Sequence, residues 1–201
     1  MNSLVSEAPP SVWNSLYERR SNPWRSSGLT TTTRRLLSTY AVGQRFLEVG
    51  CGTGEDAVDI AAMGFEYCGL DVAEAAILDA KTKNKSNSSQ FACADFFKWQ
   101  AGQSFDVIYE KGFFHGLAGL RRRSNFIRRI ATQLAPDGVW ISVCGAADQK
   151  HTKFPHGAIY LRDLIMPAEV YFEVLEVVKD NYGLADHERE FRAWHSVFRR
   201  Y

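Results

Sequence analysis

Three glycines at alternate positions, Gly50, Gly52 and Gly54, follow the apolar run Phe46-Leu-Glu-Val49, and two acids, Glu55 and Asp56, come directly after them. An Ala/Ile-rich pattern with helical spacing follows. The segment therefore predicts a buried strand, a tight turn and a helix N-terminus, where free backbone N–H groups and the positive end of the helix dipole receive an anionic ligand group. Glycine suits such a turn because it accepts positive φ and lets a ligand approach the backbone closely. Asp71 closes a second apolar run, Tyr67-Cys-Gly-Leu70, about 20 residues on, where nucleotide-binding folds of this kind place an acid that accepts from both ribose hydroxyls. The same residue is also well suited to cap a helix opening at Ala73. This is the chemistry of a nucleoside site.

The acids narrow the choice of nucleoside. A dinucleotide fingerprint needs Gly-x-Gly-x-x-Gly around a pyrophosphate. Counted from Gly50, the third position is Glu55; counted from Gly52 it is Ala57, which the motif tolerates, but Glu55 and Asp56 still put negative charge where phosphates would sit. Glu48, Glu55, Asp56 and Asp71 together favour a ligand that lacks phosphates and carries cationic groups. S-adenosylmethionine fits, with its adenine, ribose, sulfonium and α-ammonium and a single carboxylate for the helix end. Glu48, inside an otherwise apolar strand, requires a donor, because a buried carboxylate without one is costly. An arginine or the ligand's ammonium would serve.

Glu48-Val-Gly-Cys-Gly-Thr-Gly54, Leu70-Asp71, Cys93-Ala-Asp95-Phe96, Phe105-Asp-Val-Ile-Tyr-Glu110 and Leu134-Ala-Pro-Asp-Gly-Val-Trp-Ile-Ser-Val143 resemble the ordered motifs of class I S-adenosylmethionine-dependent methyltransferases, from about Trp13 to the C-terminus. Trp13-x-x-x-Tyr17 with Asn22-Pro-Trp24 is similar to the N-terminal arm of the thiopurine and tellurite-resistance group, which acts on small molecules. The resemblance implies a Rossmann-like α/β fold with a seven-stranded, mostly parallel sheet, a C-terminal antiparallel hairpin and helices on both faces. It also implies a cofactor site made by Glu48, Gly50, Cys51, Gly52, Gly54, Asp71 and Val72, with Asp95 on the adenine amino group and Phe96 beside the ring. Tyr109 and Glu110 are expected at the methionine end, and Trp13, Tyr17 and Trp24 over it as an aromatic lid. At the methyl end the candidates for catalysis are His115 and Glu110, and His115, His151, His156 and Tyr160 are the candidates for contact with the acceptor. His115 is the one histidine of this stretch able to act as a base near neutral pH, although a packing role is as open to it.

The elements that must hold these residues follow from the pattern. At 201 residues, 45% hydrophobic and 23% charged, the chain has the material for one globular core. Residues 1–10 read as a loose tail, and helices are expected over 12–20 and 30–40. Strands then alternate with helices: strand 45–50, helix 54–63, strand 66–71, helix 73–83, strands 90–93 and 105–110, helix 121–134 and strand 138–145. Such alternation specifies a parallel sheet covered on both faces. Pro136-Asp137-Gly138 reads as a turn, a helix is expected near 160–171, and runs near 174–180 and 191–199 can pair as an antiparallel hairpin. The division expected is an arm or lid over 1–40 and an S-adenosylmethionine-binding domain over 41–201.

Several function classes are disfavoured. Net charge is +1, so no global field recruits nucleic acid or an anionic membrane. Arg121, Arg122, Arg123, Arg128 and Arg129 lie on an amphipathic helix and are expected to be a solvated basic face. Cys51, Cys68, Cys93 and Cys144 form no C-x-x-C pair and suggest reduced thiols in the cytoplasm. No signal peptide or membrane span is expected, and His151 and His156 have no third partner at metal-ligand spacing. Trp194 and His195 read as core. An RNA or protein methyltransferase and a module that binds S-adenosylmethionine without turnover are the alternatives. Acceptor atom and oligomeric state are left open at this stage.

Overall fold

A computed structural model describes residues 8–85, 90–148, 157–185 and 191–201. Helices α1 (Pro10–Glu18) and α2 (Thr31–Tyr40) precede β1 (Arg45–Val49), α3 (Ala57–Ala62), β2 (Glu66–Asp71), α4 (Glu74–Lys83), β3 (Phe91–Cys93) and β4 (Phe105–Lys111). A 3-10 turn (Phe114–Gly116), α5 (Gly119–Gln133), β5 (Leu134–Gly145), α6 (Arg162–Ala168), β6 (Phe172–Asn181) and β7 (Arg192–Arg200) complete the chain. The strands form one sheet in the order β3-β2-β1-β4-β5-β7-β6, with β7 antiparallel to both of its neighbours. The expected mostly parallel sheet with its C-terminal hairpin is therefore what the chain forms. The strand order turns back between β1 and β4, and the carboxyl ends of the parallel strands open there into the crevice where such sheets bind ligands.

Strand alternation builds two cores. Phe46, Val107, Tyr109 and Ile141 point to one face, where α2 adds Leu36 and Leu37 and α3 adds Ile60. Leu47, Ile108 and Trp140 point to the other, under Phe126, Ile127 and Ile130 of α5 and Leu164 of α6. Helix α2 starts where Thr30 accepts the Thr33 N–H at 3.1 Å, a side-chain cap typical of threonine. His195 is fully buried, as expected, between the Thr33 hydroxyl at 3.2 Å and the Asn181 carbonyl at 3.0 Å.

Four expectations are corrected. The helix after the glycine loop begins at Ala57, not Gly54, because Gly54 sits at φ +71°, outside the helical region. Pro136-Asp137-Gly138 is not a turn ahead of β5 but an irregularity within it: Leu134 pairs with Phe105, and the pairing resumes only at Val139 opposite Val107. The helix expected over 160–171 is confined to Arg162–Ala168. The arginines of α5 are only partly a solvated face. Arg129 donates to the carbonyls of Phe96 and Trp99, Arg123 donates to the Leu117 carbonyl at 3.1 Å, and Arg122 lies 4.8 Å over the Phe97 ring. Guanidinium groups stack well on aromatic faces, so much of this basic stretch staples α5 to the aromatic layer beneath it.

Candidate active site

A cavity of about 220 Å³ lies at the carboxyl ends of β1, β2 and β4. Its floor is the loop after β1. The Gly50 and Cys51 N–H groups both donate to the Leu70 carbonyl, at 2.7 and 2.9 Å, which pins the loop to the end of β2. Gly52 has φ +53°, and Tyr17 Oη lies 3.0 Å from where a Cβ would stand, so any side chain there would be strained and would press on the roof. The Gly52 N–H donates to Asp71 Oδ2 at 3.0 Å, and the Ala73 N–H to Asp71 Oδ1 at 2.9 Å. Asp71 does not cap α4, whose N-cap is Ala73 without a side-chain cap; its carboxylate instead holds both loops while it lines the cavity. Burial pushes its carboxyl up from the usual range, opposed by the N–H groups of Ala73, Gly52 and Val72.

Beside the loop sits a buried acidic pair. Glu48 accepts from the Tyr67 hydroxyl at 2.6 Å and Asp56 from the Tyr109 hydroxyl at 2.9 Å. Lys111 Nζ lies 3.8 Å from Asp56 Oδ1 and also donates to the Ser26 hydroxyl and the Gly28 carbonyl. Burial, and then Asp56, push Glu48 well above the normal carboxyl range. Two carboxyl groups stand here against one lysine, so a cation entering the cavity would favour the ionised form of Glu48. At the opposite end, Asp95 accepts from the Phe97 N–H at 2.9 Å, and Phe96 packs at 5.3 Å from Phe126. Val72, Asp95 and Phe96 all line the cavity.

The roof is the N-terminal arm. Trp13 and Tyr17 each meet Trp24 edge to face at 5.8 Å, and Trp24 Nε1 donates to the Tyr17 hydroxyl at 3.1 Å. No residue of α1 is buried, so these aromatics are not a core-facing stripe. The Ala75 N–H donates to Asn14 Oδ1 at 2.8 Å and ties α1 to α4. Within the arm expected over residues 1–40, the roof is α1 and the loop through Trp24, whereas α2 is core.

At the far end, Glu110 is fully buried and stands behind the wall. One of its oxygens accepts the Phe113 and Phe114 N–H groups, both at 2.9 Å, and the other accepts the Ser142 hydroxyl. Burial raises its carboxyl to about 7. Glu110 thereby anchors the 3-10 turn that brings His115 to the cavity wall.

Of the residues singled out in the sequence, Trp13, Tyr17, Trp24, Glu48, Gly50, Cys51, Gly52, Asp71, Val72, Asp95, Phe96 and His115 line this one cavity. Four do not. Gly54 packs under it, where a Cβ would strike the Phe91 ring at 2.9 Å; Tyr109 and Glu110 point away into buried hydrogen bonds; and Tyr160 is 52% exposed. His151 and His156 lie outside the described residues. Lys111, expected at the crevice rim after the fourth strand but given no role, also lines the wall, as do Phe113 and Tyr182, which were not among the expected site residues. For Phe113, adjacency to that same rim was the visible signal. Tyr182 had none, since it arrives from the distant end of β6. Among the described residues no group of His, Cys, Asp and Glu is arranged to hold a metal ion.

The residues present suit S-adenosylmethionine. Asp71 has lone pairs left for ribose hydroxyls, the floor is free of side chains at Gly50 and Gly52, and Glu48 and Asp56 line the cavity as carboxyl partners for a cationic group. Fold and sequence agree on the class: the chain belongs to the class I S-adenosylmethionine-dependent methyltransferases. A family model described as a methyltransferase domain matches residues 47–140. The chain is similar to a probable thiol methyltransferase 2 of Arabidopsis thaliana, 30% identical over 154 residues that cover 73% of this chain and 67% of that protein. It also resembles thiocyanate methyltransferase 1 of the same plant, 28% identical over 65% of this chain and 60% of the relative. Among solved structures, one concerned with the conversion of a disulfide bond into a thioacetal group during echinomycin biosynthesis superposes with a TM-score of 0.80 at 19% identity, covering 95% of this chain and 92% of that one.

Proposed function

We propose that the chain methylates a small molecule inside the roofed crevice, and that the acceptor atom is sulfur. The observation that carries the small-molecule reading is the roof: among the described residues, α1 and Trp24 lie over a cavity of about 220 Å³, which favours a small acceptor over a macromolecule. Sulfur is favoured by the names of the two plant relatives, a thiol and a thiocyanate methyltransferase. In this reading Asp71 holds the ribose, Asp95 the adenine amino group, Phe96 the ring, and Glu48 with Asp56 the ammonium. S-adenosylmethionine supplies a methyl carbon on a sulfonium, already a good leaving group. The protein therefore has mainly to align the acceptor and exclude water. Trp13, Tyr17 and Trp24 do both.

We place the enzyme in the cytoplasm, in keeping with its four free cysteines. No described helix is long and apolar enough to cross a membrane.

Calorimetry with S-adenosylmethionine and its demethylated product tests the cofactor, with micromolar or tighter binding of both expected. Formation of demethylated product with small thiols, and none with RNA or protein, tests the acceptor. Turnover on RNA with strongly salt-dependent binding would overturn the proposal.

A further inference from the structure

We propose that Lys111 is a positioning residue of the cofactor site: its buried ammonium pins Ser26 and Gly28 of the arm to Asp56, and the strength of that pin sets how readily the roof closes. The inference rests on the methyl-transfer reading above and gives the roof a fastening that no relative's name contains.

Lys111 is the last residue of β4, a strand held between β1 and β5, so the sheet fixes its backbone. Its side chain is 5% exposed and that of Asp56 3%. Burial of a lysine to this extent requires acceptors and a countercharge around the ammonium, because a bare buried charge is costly. Here the Ser26 hydroxyl and the Gly28 carbonyl accept from Nζ, the carbonyl at 3.1 Å, and Asp56 Oδ1 stands 3.8 Å away. Ser26 Oγ lies 3.2 Å from the same Asp56 oxygen, and Asp56 Oδ2 accepts from the Tyr109 hydroxyl of β4. Ser26 can thus accept from the lysine and donate to the acid. The ring so closed joins one residue of the arm, one of the central sheet and one at the head of α3.

The neighbouring acids receive the arm in the same way. Gly28 sits at φ +101°, and a Cβ there would stand 2.9 Å from Asp59 Oδ2, so the absence of a side chain lets the arm lie against α3. Asp59 Oδ2 also accepts the Leu29 N–H at 3.0 Å, and Glu55 lies 3.6 Å from Arg25 Nε. The pair at Glu55 contributes little, since Arg25 is largely exposed and water screens it. The contact at Lys111 is the buried one, and it falls two residues after Trp24, where the roof joins the core.

A roof that is closed only part of the time lowers apparent affinity by its closed fraction, whereas a saturating ligand restores closure. Loss of the pin therefore raises KM and leaves kcat nearly unchanged. A residue whose loss displaces the reacting groups would lower kcat instead.

Lys111→Met removes the ammonium and keeps the length of the stem. With thiophenol as acceptor, KM for S-adenosylmethionine should rise about tenfold, as loss of one charge-assisted hydrogen bond does, with kcat changed less than about threefold. A fall in kcat at unchanged KM would overturn the inference. Hydrogen exchange of the ligand-free protein reads the pin without cofactor or acceptor. Amides of residues 24–29 should exchange about tenfold faster in Lys111→Met, while those of α5 keep the parent rate. Unchanged exchange in the arm would mean that the backbone bonds from Ser27 to Gly183 and from Ala185 to Arg25 hold it unaided, and equal acceleration in α5 would mean general destabilisation; either overturns the pin. Ser26→Ala removes only the bridging hydroxyl and serves should Lys111→Met fail to fold. It should raise KM and speed arm exchange in the same sense, and an absence of both effects overturns the pin. Combined with Lys111→Met it should add little, whereas full additivity would make the two residues independent and overturn the inference. Lack of turnover with thiophenol, with the cofactor bound, would sink the sulfur proposal alone and leave the exchange comparison to judge the pin.

Discussion

Asp71 and Gly52, each at the end of its own strand–loop unit, are joined by a 3.0 Å hydrogen bond from the glycine's N–H to the carboxylate. The acid that lines the cavity is therefore also the clasp of the glycine loop, and in the proposed reading cofactor affinity and loop geometry depend on the same side chain. Asp71→Ala should weaken binding of the demethylated cofactor about a hundredfold, since ribose contacts and the loop clasp are lost together and hydrogen bonds to charged groups contribute about 1.5–3 kcal/mol each. Calorimetry measures it, and a change under threefold would remove Asp71 from the site.

The roof makes a charge-specific prediction. If Trp13, Tyr17 and Trp24 face a sulfonium, their rings contribute about 0.5–2 kcal/mol of cation–π attraction that the neutral demethylated product does not receive. Trp13→Ala should weaken S-adenosylmethionine by about 2- to 30-fold more than its product. Because α1 buries no residue, the melting temperature should scarcely move. Equal losses for the two ligands would mean that the tryptophan only packs.

Glu48 links cofactor binding to protons. Its carboxyl is held well above the normal range by burial and by Asp56, and an arriving ammonium favours the ionised form. Binding should release a proton, and affinity should rise with pH. Calorimetry in two buffers of different ionisation enthalpy reads the release directly, and Glu48→Gln should abolish it.

Glu110 makes stability fall as pH rises. Its folded value of about 7 exceeds that of the unfolded chain, so the native state binds the extra proton between about pH 4.5 and about pH 7, and that contribution is lost as pH climbs through the window. Relative to Glu110→Gln, the parent protein should lose melting temperature between about pH 5 and about pH 8.

His195 acts in the opposite direction. Burial holds it neutral, with its value lowered to about 4, so its contribution is complete above the ordinary histidine value near 6.5 and disappears as pH falls toward 4. His195→Gln should flatten the acid side of the melting curve. An unchanged acid limb would assign acid unfolding to other groups.

The parallel sheet and the cofactor class were legible because both are written locally. A strand that ends in Gly-x-Gly-x-Gly needs no distant partner to announce a close ligand approach, and an acid ending the next strand lies within one strand–helix–strand unit. Tyr109 and Glu110 were misplaced for an equally physical reason. Position along β4 tells that they lie near the crevice, but the pleat, and the donors Ser142, Phe113 and Phe114, decide that neither faces it. The arginines of α5 looked solvated because helical periodicity cannot show that carbonyls of Phe96 and Trp99 wait at their tips.

Residue order was thus enough to specify a strand–loop–helix cradle for a cationic nucleoside, because hydrophobic period, glycine spacing and charge are properties of neighbouring residues. Folding in three dimensions settled which His115 nitrogen meets the Gly145 N–H, which acid is buried behind the wall and which lines the cavity, and how closely the arm roofs it. Those outcomes depend on groups brought from remote parts of the chain, Gly145 against His115 above all, and a hydrogen bond between distant residues leaves no periodic trace in the sequence.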